Sequence, residues 1–489
     1  GDLRMINYLA LLPCVAVVVA VLVLRLSGLA AATCALITTL ALWAFGTFSP
    51  IQLDHLGHAV ADSVVLELLV GIVIFLGLFF AEVSSRSGGL GALGDAINAL
   101  SLAPSRAIIL ITLGIGVMLE SLTGYGISML VTVPLLLQLV DRNKTICLAL
   151  IGMSLMPWGA LSISALLGAE LSGLPPQDLA NAIITTSGPI AFFLPLFCLL
   201  IVARPNLQDA IYALFAGVAL TVGIAATSNW IGVEVAGVGG GLAVIFYSLM
   251  FGSIRQDLVH VLARPALLPY GLLIVGVVLQ KLSAPHLAAA GISFVIETDR
   301  VSFDLIKSPG IALLTVALIC IAWQFGQSKS GSDRPILNEV ASRSWRALAS
   351  IFFFLVTARL LVEIGGIAAL SGQLSQLGIY PAVAVVTILG GIGAYVTGSG
   401  VAANALFMPS AAATGQNFDS LALFAALQHS GAAHVAMASL PVIAILLTAL
   451  PNSVANDERT AFRVGLGLAV LWVLFVVASG LAQLAIALT

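Results

Sequence analysis

Apolar residues fill most of the chain in runs of about 20, and short polar segments separate these runs from one end to the other. A helix of about 20 apolar residues is long enough to cross a hydrocarbon core of about 30 Å. Hydrophobic residues make up 60% of the sequence and charged residues only 8%, a balance that is not typical of soluble domains. The pattern therefore predicts an all-α polytopic membrane protein.

Two apolar stretches, 107–139 and 380–416, are too long for a single crossing, and glycines interrupt each of them near its middle. Basic residues, which concentrate on the cytoplasmic side of a membrane, flank the first stretch at Arg106 and Arg142. Both residues would lie on that side if the chain entered the membrane and returned. We therefore predict two re-entrant hairpins, the first entering from the cytoplasm and the second from outside.

About 12 further stretches are predicted to cross the membrane once each, which leaves most of the 19 Lys and Arg residues in the cytoplasm. Residues 1–204 hold spans 1–5 and the first hairpin, and residues 265–489 hold spans 8–12 and the second hairpin in the opposite orientation. Spans 6 and 7, within residues 205–264, link these halves. Inverted repeats with broken helices at mid-membrane are the architecture of secondary transporters.

Short polar residues gather at the two predicted hairpin tips. Irregular backbone at membrane depth is tolerated only inside protein or against a wet cavity, so the tips predict a shared central site. Helix N-termini at such a site carry partial positive charge and suit an anion. Breaks in spans 4 and 11, at Pro157-Gly159 and Ser430-Gly431, are expected at a similar depth. The candidate substrate-binding residues of the tips and of span 11 are Ser121, Thr123, Gly124, Tyr125, Gly126, Thr397, Gly398, Ser399, Asn404, Gln428 and Ser430.

Three residues are candidates for proton coupling. Glu120 lies at the first tip, where a carboxylate is costly unless it is paired or protonated, and both states suit proton transfer. The alternative is that Glu120 caps a helix start and that Gly124 and Gly126 only allow close helix packing. His429 is a candidate because the unperturbed pKa of a histidine side chain lies near neutrality. Glu67 lies in the middle of span 3, where it could instead pair with a hydroxyl group.

Arg359 lies within span 10, one helical turn before Glu363. One interpretation is an ion pair between these two residues near the outer end of the span. The other is that the guanidinium group binds a carboxylate or sulfonate of the substrate. The Asp residues, Asp62 among them, are expected in loops, and no arrangement for nucleophilic catalysis or metal binding is visible, so an enzyme is not predicted.

Residues 119–126 read LESLTGYG, residues 395–399 read YVTGS, and residues 404–407 read NALF. These stretches are similar to the L-E-G-A-A-G-F-G and F-L-T-G-S…S-N-A-L-F segments of the L-lactate permease family of bacterial transporters, and residues 153–160 resemble its N-T-A-P-V-A-F-G. The resemblance implies proton-coupled uptake of small 2-hydroxy monocarboxylates such as lactate and glycolate across the bacterial cytoplasmic membrane, without a cofactor.

The chain departs from the family pattern near the second tip. Gly400, Ala403 and Ala436 stand where the family has polar or charged residues, while His429 and Arg359 are additional polar groups. The resemblance therefore implies that the substrate is a small organic anion, but it does not identify which one.

The expected partners are this anion, protons and the lipid bilayer, with a homodimer left open. The net charge of −3 and the lack of a basic block argue against a nucleic-acid partner. The main alternative is a Na⁺-coupled carboxylate or sulfonate transporter, because hydroxyl-bearing hairpin tips can also coordinate Na⁺. An anion channel and an intramembrane enzyme are the alternatives from other classes.

Overall fold

In a computed structural model of the chain, most described residues lie in helices, and the strands in this part of the chain form two short antiparallel pairs. The structure describes residues 8–86, 92, 95, 100–124, 126–251, 253–254, 267–324 and 335–487. Ten helices in this part of the chain are long and apolar enough to cross a membrane by length and composition. The predicted all-α polytopic fold is confirmed.

The first part of the chain forms eight helices, followed by two helices that lead to the second part. The first eight are α1 (Leu9–Val23), α2 (Gly28–Ala44), α3 (Leu53–Arg86), α4 (Pro104–Thr123), α5 (Ile127–Leu136), α6 (Arg142–Gly152), α7 (Gly159–Ser172) and α8 (Pro176–Val202). The next two are α9 (Leu207–Trp230) and α10 (Ala236–Leu249). Strand β1 (Leu100–Ser101) pairs with β2 (Ser253–Ile254), which joins the segment before α4 to the segment after α10.

The second part contains nine helices and a small β-hairpin within its described residues. Its helices are α11 (Leu268–Ala289), α12 (Gly310–Gln324), α13 (Ile336–Glu363), α14 (Gly366–Gln376), α15 (Ile379–Thr397), α16 (Gly400–Asn417), α17 (Leu421–Val435), α18 (Leu440–Ala449) and α19 (Ala455–Ala487). The β-hairpin, β3 (Val295–Glu297) and β4 (Ser302–Asp304), lies between α11 and α12. The ten long helices include α4 and α15, while α1, α2, α10 and α12 are shorter apolar helices.

Both stretches predicted as hairpins form two helices that return along each other. In the first, α4 and α5, a Cβ placed on Gly116 would lie 3.4 Å from the Thr132 Cγ2, so positions equally far from the turn face each other. In the second, α15 and α16, Gly393 faces Phe407 in the same way. We call these pairs the first and second helical hairpins.

Span 4 is broken at the predicted place. Helix α6 ends at Gly152, a 3-10 turn covers Met153–Trp158, and α7 begins at Gly159. The break extends further than Pro157 alone would require, because Ala160, Leu161 and Ser162 all have positive φ values of 47–56°. Left-handed backbone is costly in residues with a Cβ atom, so the surrounding structure must hold this turn in place.

The break predicted in span 11 at Ser430-Gly431 is wrong. Helix α17 continues through both residues, and the chain breaks at the 3-10 turn Ala436–Ala438 instead. A Cβ on Gly431 would collide with the backbone oxygen of Thr387 in α15, so this glycine allows two helices to approach rather than interrupting one. The true break precedes Pro441, whose ring cannot occupy a helix interior without loss of a hydrogen bond.

Polar contacts between residues far apart in the sequence lie at the two ends of the helices. At one end, Arg142 binds Asp457 with an Nη2–Oδ2 distance of 2.8 Å, and Arg343 binds Glu82 at 3.2 Å between Nη1 and Oε2. Strands β1 and β2 pair at residues that the charge distribution assigns to the same side. This end corresponds to the predicted cytoplasmic face, and the β-hairpin lies at the opposite end.

Candidate functional site

A cavity of about 100 Å³ lies where the two helical hairpins meet the two broken helices. Its lining residues are Glu120, Gly124, Met156, Gly159, Ala160, Ile163, Ser164, Gly398, Ser399, Gly400, Val401, Ala433, Pro441, Val442 and Ile445. Sites for drug-sized ligands have volumes of about 300–1,000 Å³. The central cavity therefore suits a ligand of only a few heavy atoms.

Four helix N-termini in the described part of the chain surround the central cavity. The right-handed part of α7 begins at the lining residue Ile163, after the left-handed turn Ala160–Ser162. Helix α16 begins at the lining residue Gly400, and Pro441 lies in the first turn of α18. Helix α5 begins directly after Gly126, whose backbone N–H donates to the lining residue Glu120. Each N-terminus carries about half a positive charge, so the four together favour an anion.

Glu120 holds the tip of the first helical hairpin together. Its carboxylate accepts a hydrogen bond from the Gly126 backbone N–H at 3.1 Å and from the Ser128 hydroxyl at 2.8 Å. Only 3% of its surface is exposed. The carboxylate thus caps the start of α5, as one interpretation of the sequence expected, and it also forms part of the cavity wall.

Glycine is required where each hairpin tip touches a broken helix. Gly124 has a φ of 70°, and a Cβ there would lie 2.6 Å from the Ala160 Cβ in α7. Gly398 has a φ of 78°, and a Cβ there would lie 2.6 Å from the Pro441 Cγ in α18. Any larger residue would push the tip away from the helix that completes the cavity wall.

Ser399 lines the cavity from the second tip. Its hydroxyl oxygen accepts hydrogen bonds from the backbone N–H groups of Val401 at 3.2 Å and Ala402 at 3.5 Å, which caps α16. The hydroxyl proton remains available to a ligand in the cavity. Thr397 does not line the cavity; its hydroxyl donates to the backbone oxygen of Ser399 at 3.1 Å and so supports the turn.

Asn404 and His429 bind the broken helix rather than the cavity. The Asn404 Nδ2 donates to the Ser164 backbone oxygen at 2.9 Å and lies 2.8 Å from the His429 Nδ1. The His429 Nε2 lies 3.3 Å from the Pro157 backbone oxygen, which can only accept, so these partners assign the proton to Nε2. His429 therefore satisfies a carbonyl group that the break in span 4 leaves free.

A second buried network joins α17 to α8. Ser430 lies 2.7 Å from the Thr186 Oγ1 and 2.9 Å from the Ser187 Oγ. His434 contacts the same Ser187 at 2.9 Å and the backbone oxygen of Ser154 in the broken helix. These hydrogen bonds give Ser430 a role in helix packing, away from the lining of the central cavity.

The remaining candidates from the first hairpin and from α17 also lie away from the central cavity. Ser121 lies against Gly237 of α10, and the Thr123 hydroxyl donates to the Leu119 backbone oxygen within α4. Gln428 lies beside Gly390 of α15. Tyr125, another candidate substrate-binding residue, lies outside the described residues.

Glu67 lies on α3, away from the central cavity. Its side chain is partly buried near Gly71 and Leu348 of α13. The Oε2 atom has no hydrogen-bond partner within the described ranges of the chain. The hydroxyl partner considered from the sequence is not present among them.

The ion pair between Arg359 and Glu363, one of the two interpretations of Arg359, is wrong. The Arg359 guanidinium binds Asp62 of α3, and both residues are buried, with 8% and 2% of their surface exposed. Asp62 lies inside a helix rather than in a loop, because α3 begins at Leu53, well before the apolar run. Glu363 lies at the end of α13 and pairs with Arg300 instead.

The β-hairpin contacts carboxylates on three different helices. The Thr298 hydroxyl donates to Asp62 of α3 at 2.6 Å, and Arg300 pairs with Glu363 of α13. The Ser302 backbone N–H donates to Glu170 of α7 at 3.2 Å. We call this set the β-hairpin contacts; they close the end of the protein that is predicted to face outside.

Several residues that line the central cavity cannot be recognised from the sequence. Met156, Ile163, Val442 and Ile445 are apolar residues among many others, and only the fold brings them to one place. Ser164 was detectable in principle, because it follows the predicted break at Pro157-Gly159 by about one and a half turns.

Paired helical hairpins, two broken helices and a cavity at their meeting point are the parts from which membrane transporters are built. The family profile of the L-lactate permeases matches residues 7–258 and 280–487. This chain belongs to the L-lactate permease family, as the sequence motifs predicted. Among curated proteins, no relative matches it. Family membership indicates a multi-pass membrane transporter rather than an enzyme.

Proposed function

We propose that this protein imports a small organic anion, such as lactate or glycolate, by proton symport across the bacterial cytoplasmic membrane. The observation that carries the proposal is the central cavity, which combines four helix N-termini with one carboxylate, that of Glu120. Its volume of about 100 Å³ favours a monocarboxylate over a larger or multiply charged acid. The family match supports lactate-like substrates.

The proposed mechanism needs two halves that move around the cavity. We propose that residues 1–204 and 265–489 are inverted repeats, with 205–264 as the link. The equivalent contacts of Gly124 with Ala160 and of Gly398 with Pro441 support this assignment. Cysteines placed at positions 106 and 142 should react from the same, cytoplasmic side of a vesicle; reaction from opposite sides would contradict the topology.

Glu120 is the proposed proton carrier. Among the described lining residues it is the one with an ionisable side chain. An anion that enters beside a carboxylate is repelled unless that carboxylate is protonated, so substrate and proton would bind together. His429 is less suited to this role, because both ring nitrogens are engaged in hydrogen bonds away from the cavity.

Uptake into proteoliposomes tests the function directly. Purified protein would be reconstituted, and accumulation of radiolabelled L-lactate and glycolate measured with a pH gradient alone, a Na⁺ gradient alone, and neither. We expect saturable accumulation with the pH gradient alone. Accumulation driven only by Na⁺ would support the Na⁺-coupled alternative, and flux that never saturates would indicate a channel.

Ser399→Ala should weaken substrate binding about 10- to 150-fold, since a hydrogen bond to a charged ligand is worth about 1.5–3 kcal/mol. Ser399→Thr keeps the hydroxyl and the helix cap and should bind nearly normally. Thr397→Ala should have a smaller effect, because Thr397 does not line the cavity. Binding can be measured by calorimetry in detergent. Equal substrate affinities for Ser399→Ala and the unmodified protein would show that the second tip is not part of the substrate site.

A further inference from the structure

A second, larger cavity of about 400 Å³ lies between α3, α5, α13 and α18. Its walls are mostly apolar and include Ile74, Leu78, Ile127 and Leu130, while Arg343 and Thr448 add polar groups. These helices come from both halves of the chain, as do those around the central cavity. The second cavity therefore lies where relative movement of the halves would change its shape.

Ile445 lines both cavities. Its side chain is partly buried, and its Cδ1 and Cγ2 atoms lie 3.3 Å from where a Cβ on Gly126 would be. This apolar residue of α18 thus lies against the tip of the first helical hairpin, at the boundary between the two spaces. A change in its rotamer, or a shift of the tip, would connect the cavities.

The second cavity extends from this boundary toward the predicted cytoplasmic face. Arg343 in its wall pairs with Glu82 near the end of α3, where basic residues are frequent. Helix α18 leads from Ile445 through Thr448 to the segment whose Asp457 binds Arg142. At the other end of the protein, the β-hairpin contacts join the helices.

We propose that the second cavity is the passage through which the anion leaves the central cavity for the cytoplasm, and that Ile445 is the gate between them. The inference rests on the proposed transport function. Hydrophobic constrictions act as gates because water and ions do not enter them until they widen. An isoleucine at the boundary keeps the small anion in place while the outer side is open. The structure then represents the state that is closed outside.

Cysteine accessibility tests the passage. The native cysteines would first be replaced by alanine or serine: Cys14, Cys34, Cys147, Cys198 and Cys320. Ile445→Cys is then treated with a small anionic, membrane-impermeant thiosulfonate in inside-out and right-side-out vesicles. We expect reaction in inside-out vesicles, at least a tenfold loss of lactate uptake after reaction, and slower reaction when lactate is present.

Ile443→Cys is the matched control. Ile443 lies on the same helix two residues earlier, is only 2% exposed and lines neither cavity, so its cysteine should not react. Thr448→Cys is the second variant, because Thr448 is exposed in the larger cavity and tolerates a small substitution. It should react from the cytoplasmic side without protection by lactate.

Two results would contradict the proposal that the second cavity is the exit passage. One is that Ile445→Cys and Thr448→Cys stay unreactive in inside-out vesicles that still transport lactate, as expected if lipid chains fill the second cavity. The other is that modified Ile445→Cys transports at the unmodified rate. Failure of the proposed function looks different, because the unmodified protein would then accumulate no carboxylate at all.

Discussion

Glutamine in place of Arg359 should lower the free energy of unfolding by about 3–5 kcal/mol. The reason is that Asp62 would stay buried after losing its cation, and breaking a buried ion pair costs more than the pair contributes. Thr298 would be the remaining partner of this carboxylate. The loss should appear as a lower thermal unfolding temperature and as poor recovery of folded protein in detergent.

The double variant Asp62→Leu with Arg359→Met is the matched control. It removes both charges and leaves apolar side chains of similar length, so it should recover most of the lost stability. If Arg359 instead binds the substrate, Arg359→Gln will fold normally and lose lactate binding, and the double variant will lose binding too. That outcome would restore the interpretation of Arg359 as a substrate residue.

Glu120→Gln should abolish lactate accumulation driven by a pH gradient and preserve exchange of lactate across the membrane. The glutamine oxygen can still accept from the Gly126 N–H, and its amide group can donate to the Ser128 hydroxyl, so the tip keeps its shape. What the amide cannot do is bind or release a proton. Uptake and counterflow would be measured in the same proteoliposomes.

Glu120→Ala separates coupling from structure. Alanine leaves the buried Gly126 N–H without its acceptor, at a cost of about 1–3 kcal/mol, and should impair exchange as well as accumulation. Ser128→Ala removes one donor but keeps the carboxylate, so it should retain proton-driven uptake. Full accumulation by Glu120→Gln would exclude Glu120 as the proton carrier.

The hairpins and the break in span 4 could be predicted because their causes are local. Segment length, flanking arginines, and glycine or proline at the interruption are all readable within a few dozen residues. Gly431 shows where this reasoning fails: a glycine can end a helix or let another helix approach. Only the neighbouring oxygen of Thr387 distinguishes the two cases, and that contact belongs to the tertiary structure.

The ion pair of Arg359 shows a second limit of prediction from the sequence. Sequence spacing suggested Glu363, one turn away, whereas the partner found in the structure, Asp62, is 297 residues distant.

The lining of the central cavity shows a third limit of prediction from the sequence. Its polar residues at the tips, Glu120 and Ser399, were predicted, but Ile445 has no feature that separates it from other apolar residues. Helix packing determines which of these residues reach the cavity.

The β-hairpin contacts determine how strongly the form closed on the outer side is favoured over the form open on that side. One partly exposed ion pair and two hydrogen bonds to carboxylates hold the outer end closed through Arg300, Thr298 and Ser302. Hydrogen bonds to charged groups are worth about 1.5–3 kcal/mol each and an exposed ion pair up to about 1 kcal/mol, which gives about 3–7 kcal/mol in total. The closed form would then outnumber the open form by at least about 150-fold because of these contacts alone. All three contacts belong to one short turn, and they would be lost together. Fewer than about 1% of the molecules would then be open to the outside before any substrate arrives.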